Sequence, residues 1–144
     1  MRKIKEIIIR GESGYCHVDE TYDDKLTIKS TGVKYVYKPT HESENNKKRK
    51  WSYTTISEEI ENLFCEIADD VLKIIKREIK EGYTDLGVIE FQVTYDDNSK
   101  DMRLFFEPID EFADTFRMIK KMVPPCEEIP EVLKTEVEVW RQQN

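Results

Sequence analysis

The 144-residue sequence has only three cysteines and two histidines. Cys16, Cys65 and Cys126 are odd in number, far apart and outside any C-x-x-C pair. That argues for a reducing compartment and against a disulfide framework. No run approaches the ~18–20 apolar residues of a membrane span, and the opening MRKIKEIIIRGES lacks an apolar secretory core. A soluble, cytoplasmic chain with no membrane association is therefore expected. Glycine and proline number five each. No G-x-G-x-x-G and no P-loop occurs, so neither common nucleotide cradle is present. The nearest glycine pattern, Gly11-Glu12-Ser13-Gly14, is one position short of a G-x-S-x-G nucleophile elbow and has no helix after it. Serine catalysis is not supported.

Charge is abundant instead, with 30 acidic and 23 basic residues giving a formal net charge of −7. The mean hides a segregation. Residues 25–54 hold eight Lys or Arg against two Glu, a net +6, and the remainder carries −13. An acidic chain argues against general nucleic-acid binding, but its one basic segment invites a closer look.

The fold is organised around a helix expected over Ser57–Ile79. Ile60, Leu63, Phe64, Ile67, Ala68, Val71, Leu72, Ile74, Ile75 and Ile79 recur with the spacing of one wide helical face. Ser57 can cap its start, with Thr55 and Glu58 as a competing capping box, and Gly82 can end it. Before it, Ile4–Arg10 reads as a strand broken at Gly11–Gly14. Lys25–Ser30 and Val33–Lys38 read as a hairpin turning at Thr31-Gly32, pairing Ile28 with Tyr35 and Leu26 with Tyr37. Residues 40–50 lack periodicity and are expected as a mobile loop, followed by a strand over Lys50–Thr55. After the helix, Ile89–Tyr95 and Asp101–Phe106 alternate as a second hairpin around an Asp96–Ser99 turn. The expected register sets 93 opposite 102, 91 opposite 104 and 89 opposite 106. A second helix over Pro108–Val123 ends at Pro124-Pro125, and residues 124–144 form a loosely packed tail. The pattern predicts a single α+β domain over 1–144, a two-layer antiparallel sheet of about five strands with two main helices on one face.

Three clusters carry residues capable of chemistry. His17 with Asp19, Glu20, Asp23 and Asp24, beside Cys16, has the donor types of a divalent-metal site, but no second histidine or cysteine stands at ligand spacing. A solvated turn with no metal is the plainer account. Asp96–Asp101 superficially resembles a calcium loop but lacks its glycine and terminal glutamate, and Asx-turn chemistry explains it. Cys65, at the edge of the helix face, is expected to be a buried small hydrophobe.

The third cluster interleaves Lys29, Lys34, Lys38, Lys47, Lys48, Arg49 and Lys50 with Tyr35, Tyr37, Trp51 and Tyr53. Cations among stacking platforms are how single-stranded nucleic acids are held. The strand alternation assigns Tyr35 and Tyr37 to the core face and leaves the lysines outside. In the expected register Lys29 opposes Lys34 and Lys25 opposes Lys38. That repulsion needs acids on a neighbouring strand, Glu6 or Glu90, or an anionic partner.

GESGYCHVDETYDDKL (11–26), KWSY (50–53) and MVPPC (122–126) resemble stretches of a group of small bacterial hypothetical proteins. The resemblance spans most of the chain and implies a bacterial cytosolic setting, with no activity or ligand attached. The expectation is a non-catalytic interaction module without cofactor, binding a protein or another anionic partner through Lys29, Lys34, Lys38, Lys47, Lys48, Arg49 and Lys50. The alternatives are metal binding or metal-dependent catalysis at His17, Asp19 and Glu20, and single-stranded nucleic-acid binding by the basic–aromatic region 29–53.

Overall fold

Strands are where the β-branched and aromatic residues alternate, and six of them stand among the described residues. The computed structural model describes residues 3–13, 21–44, 46–76, 87–105, 112–123, 130 and 133. Its elements are β1 (Ile4–Ser13), β2 (Tyr22–Lys29), β3 (Gly32–Pro39), β4 (Arg49–Thr54), α1 (Glu58–Lys76), β5 (Gly87–Tyr95), β6 (Lys100–Phe105) and α2 (Ala113–Lys120). The strands form one antiparallel sheet in the order β4-β3-β2-β1-β5-β6. The first four strands are a meander. Helix α1 then carries the chain from the edge strand β4 past three strands to β5, which pairs with the free side of β1.

Both helices give their apolar sides to one face of the sheet. Ile7, Ile9, Leu26, Ile28, Val33, Tyr35, Ile89, Phe91 and Val93 from the strands form one core with Phe64, Ile67, Val71 and Ile74 of α1 and Phe116 and Ile119 of α2. The Ser57 hydroxyl accepts the Ile60 N–H at 3.2 Å, so Ser57 is the cap in use. Acids in the first turn of α1 and lysines in its last suit the helix dipole. Leu133, from the tail expected to pack loosely, is fully buried in this core. The described part of α2 is shorter than the expected span, with Phe112 forming a 3₁₀ turn ahead of it. Residues 77–79, 106–111 and Gly82 lie outside the described residues.

The structure corrects the sequence reading at four points. First, β1 continues through Gly11 and Ser13, pairing Gly11 with both Asp24 and Ile89. The Gly-Glu-Ser segment does not break the strand, because neighbours on both sides supply its hydrogen-bond ladder. Second, the β2–β3 hairpin turns at Ser30-Thr31, pairing Ile28 with Val33 and Leu26 with Tyr35. The shift is two residues, so the apolar set keeps its face, but no lysine opposes a lysine in this hairpin. Lys34 faces Thr27, Lys38 faces Asp23, Lys25 faces Val36 and Lys29 faces Gly32.

Third, the β5–β6 register is one residue from the expected one, pairing Ile89 with Phe105 and Phe91 with Arg103. A one-residue slip turns every side chain over. Phe105 is fully buried, while Met102 and Leu104 are exposed at 54% and 42%. The cause is the turn. Asp96–Asn98 is a three-residue loop closed by the Tyr95 N–H donating to the Ser99 carbonyl at 2.8 Å and the Asn98 N–H to the Tyr95 carbonyl at 2.9 Å, with Asn98 left-handed at φ 69°. The Asp97 carboxylate accepts the Ser99 N–H at 2.9 Å, which is the Asx chemistry foreseen for this turn. Fourth, Cys65 is exposed. At 100° per residue it lies about 100° from Phe64 and about 60° from Ala68, outside the arc of the buried residues of α1.

One polar contact lies inside the aromatic end of the core. The Tyr35 hydroxyl donates to buried Asp24 at 2.7 Å. Tyr35→Phe is expected to lower stability by about 1–3 kcal/mol, because a buried acceptor loses a partner. Denaturant titration checks this, and a neutral result would mean that Asp24 draws nothing from the hydroxyl.

Candidate functional site

With the helices on one face, strand alternation assigns the other face a separate set of side chains. Among the described residues no element covers it. Reading across from β6 to β4, one row holds Lys100, Thr94, Glu6 and Lys29. The next holds Met102, Gln92, Ile8, Thr27, Lys34 and Ser52, and a third holds Leu104, Glu90, Arg10, Lys25, Val36 and Lys50. These rows contain six of the ten Lys and Arg residues of the described strands.

The open face is hollowed between its longer side chains. A depression of about 720 Å³ has Ile8, Gln92 and Thr94 on its floor and Lys5, Arg10, Lys25, Lys29 and Lys100 around it. Glu6 is the one carboxylate among its described lining residues. A second hollow of about 450 Å³ shares Glu6, Ile8, Lys25 and Lys29 with the first. It continues past Thr27 and Lys34 to Ser52 and Thr54 on β4. Together they make one groove crossing the strands. The floor is well buried, with Gln92 only 3% exposed.

Few of these cations are neutralised. Arg10 directly opposes Lys25, and the strain is relieved from the other side, where Glu90 pairs with Arg10 at 2.9 Å. Gln92 adds its amide oxygen to Arg10 at 3.2 Å and donates to Thr94 at 3.3 Å. Lys29 reaches Glu6 at 3.6 Å. Lys5 donates to the side-chain oxygen of Asn98, a neutral partner. Among the described residues, Lys25, Lys34, Lys38, Lys50 and Lys100 make no ion pair. The acids foreseen as relief are both used, Glu6 on Lys29 and Glu90 on Arg10. The further acids of this face, Glu12 and Asp23, stand in the next row beside Lys38 and line neither hollow.

The basic–aromatic segment is divided by the sheet. Lys29, Lys34, Lys38 and Lys50 share the open face, with Lys29 and Lys34 lining the groove. Lys47 and Lys48 are exposed ahead of β4 and line neither hollow. Arg49 points to the helix side, its guanidinium 4.2 Å from the centre of the Tyr37 ring. Tyr37 also stacks on Tyr22 at 4.9 Å and donates to buried Asn46 at 2.6 Å, which anchors the β3–β4 connection. Tyr35 packs against Trp51 at 5.6 Å. Tyr35, Tyr37 and Trp51 therefore face away from the groove lysines, while Tyr53, 53% exposed, lines the second hollow.

Sequence reasoning missed Lys5, Arg10 and Lys100, and left Lys25 out of its patch. Arg10 and Lys25 were recoverable from alternation, since each is of opposite parity to the isoleucines and leucine beside it. Lys100 depends on the order of strands, which alternation does not give. His17, Asp19, Glu20 and Cys16 lie outside the described residues. Among the described residues no group of three His, Cys, Asp or Glu is placed to hold a metal. No helix among them is long and apolar enough to cross a membrane. In comparison with known proteins, the chain matches no family model and no curated protein sequence.

Proposed function

We propose that the protein is a non-catalytic binding module that takes an anionic partner on the open face of its sheet. The observation that carries this reading is the groove's charge: among its described lining residues, six cations, Lys5, Arg10, Lys25, Lys29, Lys34 and Lys100, stand against one carboxylate, Glu6, with Glu90 pairing Arg10 from beside it. A chain of net charge −7 gains nothing for solubility from concentrating positive charge in one hollow. Convergent cations of this kind raise the local concentration of anions and speed their capture. The buried polar floor of Gln92 and Thr94 supports a ligand surface rather than a bare charged wall. Nucleic-acid recognition through stacked bases is less favoured, because Tyr35, Tyr37 and Trp51 are turned away from the lysines.

Heparin resin, a general polyanion, tests the reading. The protein is expected to be retained at low salt despite its acidity. Lys25→Glu, Lys34→Glu and Lys100→Glu together should abolish retention without lowering the melting temperature, because none of the three is paired. Lys47→Glu with Lys48→Glu should leave most of it. Passage of the unmodified protein straight through the column would overturn the reading, as would equal loss in both variants.

A further inference from the structure

Resting on that reading, we infer that the groove is shaped for a linear phosphoryl polyanion, an oligophosphate chain lying across the strands. The argument begins with extent. The two hollows run together from Lys100 on β6 to Ser52 on β4. At ~4.8 Å per strand the six-stranded order makes this about 24 Å. The cations are not gathered at one point, as a single small anion would need. They are distributed over four strands along that line, Lys100 on β6, Lys5 and Arg10 on β1, Lys25 and Lys29 on β2 and Lys34 on β3. A repeating charge matches a distributed one.

The side-chain chemistry then narrows the class. Five of the six cations are lysines, compact and rotatable point charges that follow a chain of phosphoryl oxygens without imposing a planar fork. Apart from Tyr53, the other polar side chains lining it are short, such as Thr27, Ser52, Thr54, Thr94, Gln92 and Asn98. An acidic peptide usually adds apolar anchors seated in pockets. The exposed apolar side chains of this face, Met102 and Leu104, line neither hollow. A nucleic-acid strand gains from rings on which successive bases stack, and Tyr35, Tyr37 and Trp51 lie on the other side of the sheet, leaving Tyr53 as the one ring among the groove's described lining residues. An oligophosphate has neither apolar groups nor bases, and asks for nothing this groove lacks.

Fluorescently labelled polyphosphate, titrated by anisotropy, is the probe. It is expected to bind, with log Kd rising steeply with log[salt]. Lys25→Gln, Lys34→Gln and Lys100→Gln should each reduce that slope by about one, the signature of a lost phosphate contact. Poly-L-glutamate at equal total charge should need at least tenfold higher concentration to displace the probe. Met102→Ser with Leu104→Ser should leave polyphosphate binding unchanged. The inference is overturned if poly-L-glutamate competes equally, if the salt slope ignores the three lysines, or if the Met102 and Leu104 changes weaken binding. Heparin retention without polyphosphate binding would remove the oligophosphate and leave the anionic-partner reading. Failure of both would remove both.

Discussion

Phe91→Ala is expected to be the most destabilising of the single substitutions considered, at about 3–5 kcal/mol. Phe91 is fully buried on β5, and three other phenylalanine rings surround it. Phe112 stands edge-on at 5.0 Å, Phe105 edge-on at 5.8 Å and Phe116 stacked at 6.2 Å. Removing the ring takes apolar area from the core and leaves a cavity lined by rings that cannot close on it. Domains of this size are stable by roughly 5–15 kcal/mol, so the loss is a large fraction of the whole. A denaturant titration should show a lower midpoint with an unchanged slope. Met102→Ala, on the exposed side of the neighbouring strand, should stay within about 0.5 kcal/mol. A loss below about 1.5 kcal/mol for Phe91→Ala would show that the four rings are not a packed unit.

Gly32→Ala should follow, at about 3 kcal/mol, for a backbone reason. Gly32 begins β3 with φ +153°, and an added Cβ would sit 2.1 Å from the Tyr53 carbonyl oxygen. That oxygen belongs to the backbone of β4, so β4 must move away from β3 to admit a methyl group. The damage should be concentrated at this end of the sheet. The Thr55 N–H, which donates to the Thr31 carbonyl at 2.8 Å, should lose hydrogen-exchange protection before the amides of β5 do. A stability loss under 1 kcal/mol with Thr55 still protected would mean that the approach of β4 is adjustable.

These two positions also illustrate what the sequence makes legible. Phe64, Ile67, Val71 and Ile74 announce a helix face through their spacing, and the structure buries all four. The alternation of Leu26, Ile28, Val33, Tyr35 and Tyr37 likewise assigns a face, which survives a two-residue error in register because parity is conserved. The second hairpin had no such protection. There the register hangs on whether Ser99 lies in the turn or closes it, and Asn98 in a left-handed conformation decides that. Leu104 and Phe105 are both apolar, so composition gives no preference between them. The groove was less legible still. Its cations come from positions 5, 10, 25, 29, 34 and 100, which a window of contiguous charge cannot join. They meet only because β1 lies between β2 and β5, a long-range pairing that local pattern does not encode.

That placement of β1 has a consequence during synthesis. Its Ile7-Ile8-Ile9 centre is paired on one side by β2 soon after it is made. Its other side waits for β5, about 75 residues later in the chain. At ~5–20 residues per second, this three-isoleucine strand is an open edge for roughly four to fifteen seconds. For that interval the nascent meander is a template for any passing strand, and the finished chain closes it with its own.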